Sequence, residues 1–74
     1  MNAFIKNPYY ESKIRSEKAN IAHYKNQIKH LENQIEHLKE KGKPTRSLED
    51  AINTLNRNME HSNIMISRYQ RLNI

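Results

Sequence analysis

The chain has 74 residues, no cysteine or tryptophan, one glycine, two prolines and a formal net charge of +5. That length holds at most one small domain, at the size where a single core is marginal, and the missing cysteines exclude disulfides and thiolate chemistry. The longest aliphatic run, Ile64-Met65-Ile66, falls far short of the ~20 apolar residues that span a bilayer.

Valine is absent too, and isoleucine, leucine, lysine, glutamate, asparagine and glutamine dominate, a composition suited to helices rather than a twisted sheet. The charge is uneven. Residues 1–29 carry +4, residues 30–56 carry −1 and residues 57–74 carry +2, so both chain ends are basic. The opening MNAFIKNPYY has no apolar stretch of the kind found in a secretory signal, and the expected location is the cytoplasm.

The first element is marked at its start by Asn7, a good N-cap, and Pro8, whose missing N–H is no loss at the first helical position. With Ile5 upstream, Asn7-Pro8-Tyr9-Tyr10 also fits the short ligand pattern of phosphotyrosine-binding domains, but a capped helix start accounts for Asn-Pro fully. Ile14, Ile21, Ile28 and Ile35 then recur every seven residues, and Tyr10, Tyr24, Leu31 and Leu38 form a second row offset by three. These are the a and d positions of a heptad, with Glu17 the one departure in the d row. The spacing predicts a helix over about 8–41. Gly42 suits the left-handed residue that ends a helix, and Pro44 cannot continue it.

A turn over 42–47 leads to the second element. Ser47 with Asp50 three residues on resembles a capping box, and Glu49 and Asp50 add favourable charge to a first turn. Leu48, Ile52, Leu55, Met59, Ser62, Ile66, Tyr69 and Asn73 alternate by four and three, predicting a helix over about 48–72.

So short a link favours folding back into an antiparallel coiled-coil hairpin, one domain over 1–74; proline after glycine argues against a single long parallel dimer. Pairing symmetric about the turn makes facing residue numbers sum to about 87. Ile35 then faces Ile52, Ile28 faces Met59 and Ile21 faces Ile66. Tyr24 meets Ser62 or Asn63, and Glu17 lands near Tyr69 and Gln70, where it accepts the tyrosine hydroxyl and Arg68 neutralises it. Such a polar layer fixes register at some cost in stability. One seam seldom offsets the about 1.5 kcal/mol of entropy lost per ordered residue. Self-association is therefore expected, most simply a two-fold homodimer forming a four-helix bundle. Ala51, Met65 and Leu72 widen the apolar stripe of the second helix for that contact, while Asn20, Gln27 and Gln34 occupy the equivalent row of the first.

His23, His30 and His37 repeat every seven residues at the outer c position, and His61 takes c in the second helix. Seven helical residues rise about 10.5 Å. One zinc ion, holding nitrogens at about 2 Å, cannot bridge neighbours in that row. Intrahelical metal pairs need a spacing of three or four, which no two histidines have. The row reads as the solvated outer face of a coiled coil, with a pH-sensitive surface the next reading and metal the last. No metal, cofactor or small-molecule substrate is expected. Nor is an enzyme: the five serines have no nucleophile–base partner in a cleft, there is no glycine-rich phosphate loop, and Glu32, Glu36 and Glu40 form an ordinary solvated row.

Two surfaces remain. Arg15, Lys18, Lys25 and Lys29 lie at b and e along about 21 Å of one face. Closing the hairpin brings Arg57, Arg68 and Arg71 to the same half of the molecule. Phe4, Ile5, Leu72 and Ile74 gather at the open end, where they either close the bundle or form a docking patch rimmed by Lys6 and Arg71. The favoured reading is a protein-interaction module, an adaptor, inhibitor or regulator binding a larger protein through a basic, partly apolar surface. The alternatives are a dimeric RNA- or DNA-binding regulator using the basic stripe, and a scaffolding coiled coil. By architecture alone, the plasmid RNA-binding hairpin dimer Rop illustrates the nucleic-acid reading. None of that protein's residue motifs occurs here, and the tyrosines are mostly committed to the seam instead of stacking on bases.

Overall fold

The computed structural model describes residues 7–73 as a helical hairpin. Helix α1 runs Pro8–Glu40 and α2 runs Arg46–Leu72, with no strand among the described residues. Phe4, Ile5, Lys6 and Ile74 lie outside the described residues.

Helix α1 starts as its sequence requires. The Asn7 side chain accepts from the Tyr9 N–H at 2.9 Å, and its carbonyl accepts from Glu11 N–H at 3.0 Å. Asn7 also reaches across the molecule: its own N–H donates to Asn73 Oδ1 at 2.7 Å, joining the start of one helix to the end of the other. At the far end Gly42 has φ of +68°. Its N–H donates to Lys39 and the Lys43 N–H to Leu38, at 3.0 and 2.9 Å. This crossed pair is the Schellman closure, which turns the chain while satisfying the last carbonyls.

Helix α2 starts two residues earlier than expected, and the capping box does not form. Thr45 takes the cap position, its carbonyl accepting from Leu48 and Glu49, and its hydroxyl donates to Glu49 Oε2 at 2.5 Å. Ser47 falls inside the first turn. Asp50 pairs instead with Arg46 at 3.5 Å, the one ion pair among the described residues, and an exposed one. With the helix already begun at Arg46, Ser47 cannot serve as its N-cap.

The register is also different. Asn7 meets Asn73 and Tyr10 meets Tyr69, with ring centroids 6.1 Å apart, so residue numbers across the open end sum to 80 and 79. A sum of 87 would leave Tyr69 level with Lys18, about 12 Å along the helix from Tyr10. Helix α2 is therefore drawn toward the open end by seven to eight residues, about one heptad. The cause lies in the link. After the reversal at Gly42, residues 43–45 run back beside the last turns of α1 before α2 begins. Thr45 thus comes level with the Ile35–Leu38 turn and is buried.

The shift replaces the expected pairs. The two buried apolar side chains, Ile14 (7% exposed) and Ile66 (9%), fall level with each other. Ser62, only 3% exposed, comes level with Glu17 to Ile21, and Tyr24 comes level with the Leu55–Met59 turn. The polar layer expected around Glu17 is absent: among the described residues Glu17 makes neither a bond to Tyr69 nor an ion pair with Arg68. Tyr69 packs on Tyr10 instead, and Tyr10 takes Tyr9 edge-on at 5.3 Å.

The heptad rows themselves hold. Tyr10, Ile21, Tyr24, Ile28, Leu31, Ile35 and Leu38 of α1 are half-buried, as are Leu48, Ile52, Leu55, Met59 and Tyr69 of α2. None of the seam side chains is fully buried, because a single helix–helix contact covers only one side of each.

Candidate functional site

Antiparallel helices are related by a local two-fold axis, so like heptad letters meet at each edge of the seam. Taking Ile52, Met59 and Ile66 as a and Leu48, Leu55 and Tyr69 as d in α2, Ala51, Asn58, Met65 and Leu72 form its g row. Glu49, Asn56, Asn63 and Gln70 form its e row. The structure bears out this division. Leu48 of α2 shares a groove of about 580 Å³ with His30, Asn33, Gln34, His37 and Leu38 of α1. Next to it, Leu55 shares a smaller one with Gln27, His30, Leu31 and Gln34. Both grooves lie on the g edge and in the turn half of the hairpin. Their linings are d-row leucines framed by amides and imidazoles.

The groove has a physical origin. The d row of the turn half consists of leucines, and its flanking g residues are the flexible amides Gln27 and Gln34, which are exposed and leave the leucine flanks open. Ala51 and Met65, beside the seam on α2, are half-buried by the same geometry. This stripe on α2 is expected from its heptad, whereas His30 and His37 are expected wholly on an outer face. Both are exposed, yet both also line the groove, because c lies next to g on the helix surface. Among the described residues no three His, Asp or Glu side chains converge in a way that holds a metal ion.

The basic residues divide between two surfaces. Arg15, Lys18, Lys25 and Lys29 are all exposed and lie on the e edge, across the seam from the groove. Arg57, Arg68 and Arg71 are exposed as well, but c and f positions carry them around the back of α2, toward the g side. Arg68 and Arg71 line a small depression with Leu72. They do not share the face of the α1 stripe, because c and f positions of α2 point away from the edge where the b and e positions of α1 lie. Leu72 is 59% exposed and Ile64, one turn and a half before the depression, 48%. Of the four expected open-end apolar residues, Leu72 is the one that lies within the described chain. Ile64 is an addition that the sequence signalled only weakly, as the one apolar residue at f within the Ile64-Met65-Ile66 run.

No family model matches the chain, and no curated protein or solved structure shows significant similarity to it. No helix among the described residues is long and apolar enough to cross a membrane.

Proposed function

We propose that this chain is a non-enzymatic protein-interaction module. Two copies pack through their turn halves into a four-helix bundle, and the open halves then face outward to engage a larger protein. The observation that carries this reading is the leucine-floored groove of the turn half. Leu31, Leu38, Leu48 and Leu55 meet there but stay half-exposed, with apolar area still to bury. Charge supports the same arrangement. Residues 30–56 carry only −1, so two turn halves approach without repulsion, whereas the basic open halves repel and are kept apart.

For the larger partner, Ile64 and Leu72 supply exposed apolar anchors, and Arg57, Arg68 and Arg71 surround them. Arginine and large apolar side chains together are the usual makings of a protein-binding hot spot. An acidic, apolar-faced helix or groove complements them.

Sedimentation of the full chain across a concentration series tests the first step. The proposal expects a monomer–dimer equilibrium, lost when Leu48 becomes Asp; a monomer at all concentrations rejects it. For the second step, a photo-crosslinking amino acid at position 64 identifies the partner in cells. Binding of that purified partner is then expected to fall at least tenfold for Leu72→Asp. Undiminished binding by Leu72→Asp removes the Ile64–Leu72 face from the reading.

A further inference from the structure

The e edge of the seam is chemically unlike the rest of the surface. Arg15, Lys18, Lys25 and Lys29 stand exposed along about 21 Å of α1. None is in an ion pair; the one ion pair of the described residues is Arg46–Asp50, within the first turn of α2. Glu11 bounds the stripe at one end, and Glu32 with Glu49 of α2 bounds it at the other. Between them the facing residues of α2 are amides: in the observed register Asn63 comes level with Lys18, and Asn56 with Lys25. Glu60 is the one acid of α2 at this level on the same side, and Glu17 the one acid of α1, half-buried in the seam. Ala22 is the only apolar side chain among the four cations.

We infer that this edge binds the phosphate backbone of duplex nucleic acid. The choice of partner follows from what the edge lacks. A protein interface needs a buried apolar centre, and a membrane-surface helix needs an apolar face to sink between headgroups. This edge has neither, while the opposite edge and the back of α2 do. A rigid row of cations flanked by amide donors matches a ligand that presents regularly spaced anions and little else. Duplex DNA carries one phosphate per about 1.7 Å of axis, so 21 Å of helix lies along roughly twelve phosphates and four cations can each find one. Amide and cation contacts of this kind position a duplex without reading its sequence. The inference is independent of the dimer, since the edge is complete within one chain.

The test is a fluorescence-anisotropy titration of the full chain against labelled 20-base-pair DNA and RNA duplexes between 25 and 200 mM salt. Binding to either duplex is expected, with a log–log salt slope near −3.6 for four phosphate contacts at about 0.9 each. The Arg15→Gln, Lys18→Gln, Lys25→Gln, Lys29→Gln variant is expected to lose at least tenfold in affinity at the lowest salt and most of the slope. The triple variant of Arg57, Arg68 and Arg71 to Gln keeps the affinity within about threefold, while Glu60→Gln binds more tightly. If the fourfold variant loses helicity, Lys25→Gln alone must lower the slope by about 0.9.

Three results overturn the inference. The first is no binding at 25 mM salt, which leaves the stripe as solubilising charge. The second is an equal loss in the triple arginine variant, which makes net charge the cause. The third is equal affinity for polyglutamate or for vesicles rich in phosphatidylserine.

Discussion

The two halves of this hairpin are built from the same heptad yet pack differently. In the open half, Ile14 and Ile66 are buried, Ser62 and Asn73 are buried with them, and Tyr10 stacks toward Tyr69. In the turn half, Ile28, Leu31, Ile35, Leu38, Leu48, Ile52 and Leu55 are all half-exposed, and a groove opens between the helices. The open half is also basic, while residues 30–56 carry −1. What separates them is side-chain size matched across the seam. A serine in the open half lets the helices close around their isoleucines, and the Asn7–Asn73 bond ties their ends. In the turn half the leucine flanks of both helices instead line a channel along one edge. Tight packing therefore coincides with repulsive charge, and loose apolar packing with neutral charge, which is the distribution a bundle needs if it is to assemble through one half and display the other.

Substitutions should distinguish the halves by size of effect. Ile14→Ala should cost the most, about 2–5 kcal/mol, because it opens a cavity in the one place where the seam is closed. Urea melts followed by circular dichroism should show it as a loss independent of protein concentration. Ile35→Ala in the turn half should cost clearly less in the monomer, and its cost should grow with concentration as the second copy covers the groove. Equal and concentration-independent costs would remove the distinction between halves.

Two smaller effects probe the ends. Replacing Asn7 with Ala removes the cap bond to Tyr9 but leaves the backbone N–H that meets Asn73, and about 0.5–2 kcal/mol is expected. Asn73→Ala removes the cross-helix acceptor and leaves the N–H of Asn7 short of a partner, costing about 1–3 kcal/mol. Gly42→Ala places a side chain at φ of +68° and should cost about 1 kcal/mol; with open space around that position, the backbone conformation is the whole of the penalty. The smallest effect is expected from His30→Gln, which should leave monomer stability and metal content unchanged. A bound metal lost from that variant in elemental analysis would overturn the reading of the histidine row.

The heptad was legible because it is a local property: a period of seven in Ile14, Ile21, Ile28 and Ile35 states which face of α1 turns inward whatever lies opposite. The ends were legible for the same reason, since Asn7, Pro8 and Gly42 act within their own turns. The cap of α2 is ambiguous in the sequence because three hydroxyl or carboxyl groups lie within six residues, and the competition among Thr45, Ser47 and Asp50 is settled by the path of the link. The sequence carries the heptad letters of the arginines and of the α2 stripe, but not the groove itself or its two histidines. They depend on which edge of one helix meets which edge of the other.

By itself, then, the sequence determined that there are two helices, where each turns its apolar row, and that the chain reverses at Gly42. Tertiary structure alone decided the register, the closed and open halves, and the assignment of cations to opposite faces. A heptad repeats every seven residues and so fits against its partner almost equally well after a slide of one repeat. The pattern carries no memory of position along the axis, and a five-residue link, an asparagine clasp and one buried serine had to supply it.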